Sequence, residues 1–247
     1  RREGRDFAYC SDLLFWIMVS GVVGARLAYV ASQAAYYVEH PLRVFRIDQG
    51  GLIYYGGFIG AAVAIVLFAR RREESTLGLL DFVATSAPLG HAFGRIGCFL
   101  NGCCFGRACD AWYGVEYPAE SAVWWHQVNA GRILRFTAHS DPVYPVQLLE
   151  AGFNLLVYAA LVVHFRRRKR RGTTTALYLL AYPAGRFLLE FLRGDDRERL
   201  WGLSVAQVVS IVLFAVGIVL TAVSLKMGKA CNSAPRKETP ASGSTSG

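Results

Sequence analysis

Gly94-Arg95-Ile96-Gly97-Cys98-Phe99-Leu100-Asn101-Gly102-Cys103-Cys104-Phe105-Gly106 closes an apolar run that begins near Leu77. Arginine, asparagine and thiols stand here at the end of a segment that otherwise suits oil. A buried polar or charged group costs free energy unless it is paired or used. The stretch therefore marks both the environment of the chain, a membrane, and the place where its chemistry gathers.

The runs around it set the fold class. Of the 247 residues, 53% are hydrophobic and 18% charged, against about one quarter charged in a soluble domain. The apolar residues lie in six runs, near 12–31, 51–69, 77–99, 144–165, 174–192 and 203–225. A helix crosses the hydrocarbon core with about 20 residues, and only helices or closed barrels satisfy their own backbone there. The short alternating strands of a barrel are missing. The sequence thus predicts an all-α, polytopic integral membrane helix bundle with a periplasmic loop region. Residues 1–230 form the membrane-embedded domain, with a periplasmic segment at about 100–143, and 231–247 form a disordered tail rich in Ser, Gly, Thr and Pro.

The net charge of +9 sits in blocks beside the apolar runs: Arg1, Arg2 and Arg5, then Arg70 to Arg72, then Arg166 to Arg171, then Lys226 and Lys229. Blocks in those places are topology signals, not a nucleic-acid footprint. With all four inside, the spans alternate without conflict, and the loops 32–50, 100–143 and 193–202 face outward. Trp112, Tyr113, Tyr117, Trp124 and Trp125 suit the headgroup region.

Charged and small residues recur at the outward ends of the spans. They are Arg26, the glycine-rich run from Gly50 to Gly60, His91 with Arg95 and Asn101, and Arg186 with Glu190 and Arg193. The glycines let a neighbouring helix or a lipid approach the backbone closely. Arg186, Glu190 and Arg193 share one helical face. They read either as a self-neutralising ladder or as a carboxylate that orients arginines towards an anion; two guanidiniums suit a phosphate. Cys98, Cys103, Cys104 and Cys109 fit no common zinc spacing. Small buried residues at a tight turn is the favoured reading, with a disulfide second and no metal expected.

At these residues the chain resembles the prolipoprotein diacylglyceryl transferases of bacteria. Gly94, Arg95, Gly97, Cys98, Asn101, Gly102 and Gly106 match the family signature, and Gly50 to Gly60 is similar to its glycine motif. Pro145-Val146-Gln147-Leu148-Leu149-Glu150 and the Arg186, Glu190, Arg193 helix match two further segments. Tyr55 stands where many members carry His, and Cys103 where they carry Glu. The family has seven spans, so the abrupt start at Arg1 implies a first span outside this sequence.

The resemblance implies transfer of a diacylglyceryl group from phosphatidylglycerol to the lipobox cysteine of a prolipoprotein signal peptide, in the bacterial plasma (inner) membrane, without a cofactor and without nucleic acid. It implies catalytic roles for Arg95, Arg186, Tyr55 and His91. It implies headgroup contacts from Arg95, Asn101, Gly106, Arg186, Glu190, Arg193, Arg26, Gly56 and Gly57. The alternatives are an anion transporter and a non-catalytic phospholipid-binding membrane protein.

Overall fold

The computed structural model describes residues 6–46, 50–195, 199–200 and 202–232. Two compact units divide the chain, Arg1–Leu80 and Asp81–Gly247.

The first unit is built on two long helices, α1 (Phe7–Ser32) and α3 (Tyr54–Arg71), joined through the short α2 (Ala34–Glu39) and a 3-10 turn at Pro41–Phe45. Asp6 starts α1 by accepting a hydrogen bond from the Tyr9 amide at 2.8 Å. Buried positions on α1 are few: Leu13, Ala25 and Arg26. Leu14, Phe15, Met18, Val22, Val23 and Leu27 are exposed instead. A helix that turns its large apolar side chains outward needs an apolar solvent.

Backbone contact holds α1 to α3. A Cβ on Gly24 would lie 2.4 Å from the Gly56 carbonyl oxygen, and one on Gly60 would lie 2.2 Å from that of Ser20. In oil, helix association rests on such close van der Waals fit, because no water is released between the helices. Gly56 faces Gly24 and Ala28, while Gly57 faces Gly21 and Ala25. Of the two uses open to these glycines, this structure shows the helix contact. At the other end of the pair, Arg72 donates to Asp12 at 2.7 Å and Tyr9 donates to Glu74 at 3.0 Å.

Arg26 is buried in this unit and spends every donor on the chain that follows. Its Nε donates to Val44 O, Nη1 to Gly50 O and Gly51 O, and Nη2 to Arg43 O and Arg46 O, at 2.7–3.1 Å. A guanidinium has five N–H groups in a fixed fork, so none is left for a lipid.

The second unit begins within α4 (Thr76–Leu100), which leads into a long connection that holds α5 (Ala122–Asn129). There follow α6 (Val146–Arg167), α7 (Thr173–Leu189) with a 3-10 turn at Glu190–Leu192, a hairpin of β1 (Arg199–Leu200) and β2 (Leu203–Ser204), and α8 (Val205–Asn232). α7 lies along both α6 and α8. Gly185 admits the Phe153 ring on the first side, and Gly217 admits Leu179 on the second.

The connection after α4 is not an open loop. Phe105, Tyr117, Val123 and Val143 form a small core of their own. Ser140 pins Tyr117, and Gln127 both donates to and accepts from the Asp141 backbone. At the far end of α4, buried Asp81 accepts from Gly172 N (2.8 Å), Thr175 N (2.7 Å), Thr175 Oγ1 (2.8 Å) and Arg168 Nη1 (2.5 Å). Those bonds satisfy the carboxylate and fix the basic turn between α6 and α7.

All six apolar runs are helical, as expected. Among the described residues, three stretches are long and apolar enough to cross a membrane: Phe7–Ser32, Val146–Arg167 and Val205–Lys226. α3, α4 and α7 are helices whose apolar character is broken by glycines, by Asp81, Pro88, His91 and Arg95, and by Thr173 to Thr175, Pro183 and Arg186. The helix α8 runs to Asn232, two residues into the expected tail. Residues 233–247, on which the rest of that expectation falls, lie outside the described residues.

Gly56→Ala is expected to lower stability by about 1–3 kcal/mol, because its Cβ would meet Ala28 Cβ at 2.3 Å. Gly152→Ala, with nothing within 4 Å of the added carbon, is expected to be neutral or slightly stabilising. Thermal unfolding in detergent compares the two.

Candidate active site

Glu150 stands one turn into α6. Pro145 caps this helix, and its buried face carries Val146, Gln147, Glu150, Ala151, Asn154, Val157 and Leu161. The spacing is helical, yet three of the inward residues are polar or charged. α6 is therefore built inside out, with apolar side chains such as Leu156 and Val163 exposed and polar ones turned in.

Four basic side chains converge on the Glu150 carboxylate, which is fully buried. From α4, Arg95 Nε lies 3.1 Å from Oε2 and His91 Nε2 lies 3.6 Å from Oε1. These two are four residues apart and so share a helix face. From α7, Arg186 Nε lies 3.7 Å from Oε1. Arg193, just past the 3-10 turn, brings Nη1 to 4.0 Å from Oε2.

Two more carboxylates complete the arrangement. Glu190 Oε2 lies 2.6 Å from Arg186 Nη1 and 4.0 Å from Arg193 Nε. Asp195 takes Arg193 in a bidentate grip, Nε at 2.9 Å and Nη2 at 2.8 Å. Three guanidiniums thus face three carboxylates, with His91 beside them and its ring 5.0 Å from that of Tyr182. Buried charges of one sign repel strongly at such range, and only the interleaved carboxylates allow them to coexist. The contacts are ion pairs more than hydrogen bonds. Arg95 Nε, Arg193 Nη1 and both Glu150 oxygens make no aligned hydrogen bond, so donor capacity remains within the cluster.

The turn after α4 fixes the Arg193 segment. Gly106 is buried, and a Cβ there would lie 2.5 Å from Tyr144. Its amide donates to Tyr144 O, the Gly194 amide to Phe105 O, and the Arg107 amide to Leu192 O. Gly106 therefore acts as a crossing point between three segments. The Arg193 guanidinium also acts on the Cys104 thiol. Burial pushes that thiol up, but the nearby Arg193 guanidinium, with Arg95 behind it, outweighs burial and leaves it below the usual thiol range.

His91, Arg95, Arg186, Glu190 and Arg193 are thus brought together around Glu150. Asn101 is exposed at the end of α4. Tyr55, Arg26, Gly56 and Gly57 belong to the first unit. Sequence reasoning gave no role to Glu150 or Asp195. Glu150 had a signal: it is the one acidic residue in the apolar run 144–165, and an ionisable group at such a place is a site candidate by default.

A sequence model of the prolipoprotein diacylglyceryl transferases matches residues 1–223. The chain belongs to this family. Its similarity to individual members extends over most of its length. A phosphatidylglycerol–prolipoprotein diacylglyceryl transferase of Clostridium perfringens is 31% identical over 232 residues, covering 92% of this chain and 85% of the relative. A relative of the same description from Idiomarina loihiensis is 33% identical, covering 85% and 74%. One from Burkholderia thailandensis is 36% identical, covering 90% and 81%. The span matched to the transferase family contains every residue of the cluster around Glu150.

Glu150→Gln removes the carboxylate that meets all four basic side chains. It is expected to lower stability by roughly 3–5 kcal/mol, as breaking a buried ion pair does, read by denaturant unfolding in detergent micelles. Alkylation of Cys104 is expected to rise with a midpoint below the usual thiol range, and Arg193→Gln is expected to move that midpoint upward. Mass mapping of the labelled thiol across a pH series measures it.

Proposed function

We propose that this protein transfers the diacylglyceryl group of phosphatidylglycerol to the cysteine thiol of a prolipoprotein lipobox. The observation that carries the reading is the buried cluster of Arg95, Arg186 and Arg193 on Glu150, with His91 in the same group, in a chain of apolar helices belonging to this family.

The chemistry asks for such a cluster. The thiol sulfur forms a bond to the glyceryl carbon, and the bond from that carbon to a phosphate oxygen breaks. Its electron pair leaves with glycerol phosphate, so negative charge grows on the phosphate. Arg95 and Arg186 hold donors in a site screened from water, where preorganised donors are worth about 3 kcal/mol each. Glu150 and Glu190 keep those guanidiniums in place before the lipid arrives, so little reorganisation accompanies the charge shift.

The thiol proton needs an acceptor. His91, with Nε2 3.6 Å from Glu150, has the residue type and the carboxylate partner of a general base. Tyr55 is the other candidate, in the first unit; a phenol serves as a base only beside a cation. Arg193 steadies the cluster through Asp195 and adds positive charge for the headgroup. Asn101, exposed beside the cluster's helix, can reach a glycerol hydroxyl. Arg26, Gly56, Gly57 and Gly106 serve by holding backbone segments together. The basic blocks support a placement in the bacterial plasma membrane with the cluster on the outward side.

The test is incubation of the purified full-length protein with phosphatidylglycerol vesicles and a lipobox peptide. The expected product is a peptide heavier by the diacylglyceryl group, found by mass spectrometry. Arg95→Ala and Arg186→Ala are each expected to cut turnover by roughly a hundredfold or more, with membrane insertion unchanged. Near-normal turnover in both variants would overturn the phosphate clamp. Lipid binding without product would assign the protein to non-catalytic phospholipid binding instead.

A further inference from the structure

Next to this cluster lies a group that the transfer reaction leaves unused. The Sγ atoms of Cys98, Cys103 and Cys104 all lie within 4.8 Å of one another. All three are free thiols and half-buried. Sequence spacing alone disfavours a shared ion, because Cys103 and Cys104 are adjacent. The backbone removes that objection. Cys104 takes a left-handed conformation at φ 60°, directly after Gly102 at φ 66° and Cys103. A bulky residue seldom adopts this region. The turn lets both neighbouring thiols approach Cys98 at the end of α4.

The turn is also held from outside. The Cys103 amide donates to Cys98 O at 3.1 Å, and the buried Gln147 side chain donates to Cys103 O at 2.9 Å. Gln147 in turn reaches the Tyr117 hydroxyl at 3.3 Å. Such support is what fixes metal ligands before the metal comes. A zinc–sulfur bond of about 2.3 Å places two thiolates of a tetrahedral site about 3.8 Å apart, a separation that the three thiols reach with small side-chain shifts.

The geometry points to a three-thiolate site, formed by Cys98, Cys103 and Cys104, for a thiophilic divalent ion of the zinc class. Each thiol gives up its proton as it binds, so one ion displaces three protons. Thiolate donors suit soft or borderline ions and exclude magnesium and calcium. Among the described residues, no histidine or carboxylate joins the group, so the fourth position falls to water or to an external thiolate. The site is independent of the transfer reading, since ion binding is measured without substrate.

Two measurements on the reduced full-length protein test it. Cobalt(II), used in place of zinc, is expected to bind once per chain with the intense sulfur-to-metal absorption of a thiolate site. Cys98→Ser, Cys103→Ser and Cys104→Ser should each weaken this by at least the roughly tenfold to hundredfold that loss of a supporting group costs. Cys109→Ser should not. The second measurement needs no variant: zinc is expected to slow alkylation of Cys98, Cys103 and Cys104 at least tenfold, with Cys10 as internal reference. Equal alkylation with and without zinc would overturn the proposal. So would cobalt uptake that survives all three substitutions, or recovery of two of these thiols as a disulfide that takes up no metal.

Discussion

One carboxylate in the wrong solvent organises the second unit of this protein. Glu150 is fully buried, and a lone ionised carboxylate there would cost several kcal/mol. Its presence is tolerable only because His91 and Arg95 from α4, Arg186 from α7 and Arg193 from the following turn all close on it. The reverse holds as well: three guanidiniums would drive one another apart without this carboxylate and those of Glu190 and Asp195. The 3-10 turn at Glu190–Leu192 and the Gly106 bridge to Arg193 each carry a member of this group.

Asp81 solves the same problem differently at the opposite end of α4. It meets two amides, a hydroxyl and Arg168 in aligned hydrogen bonds. Glu150 meets charges in loose ion pairs and no aligned bonds. A carboxylate saturated by fixed donors locks a turn. A carboxylate surrounded by under-used cations leaves them able to receive another anion. The contrast separates a structural acid from one in a working site, though both are equally buried.

Much of the helical frame was legible from the apolar runs, because length and absence of charge are local properties of a sequence. Arg95, Arg186, Glu190 and Arg193 were legible as a group because charge in an apolar run is anomalous by itself. What could not be read is which charges meet. Glu150 is 55 residues from Arg95 and 36 from Arg186, and only the packing of α4, α6 and α7 brings them together. Arg26 shows the opposite failure: an arginine beside glycines looks like an anion site, but its donors are taken by carbonyls of residues 43–51. Gly56 and Gly57 carry the same ambiguity, since a bare backbone invites a helix or a lipid equally well.

The small core of Phe105, Tyr117, Val123 and Val143 has a reach beyond its size. Through the strand-like bridge between Gly106 and Arg193, it acts as the handle of a lever whose working end is a guanidinium. Long helices in oil yield late on heating, whereas a cluster of a few side chains yields early. Heat would then loosen this connection, and with it the hold on the Arg193 guanidinium, before the long helices give way.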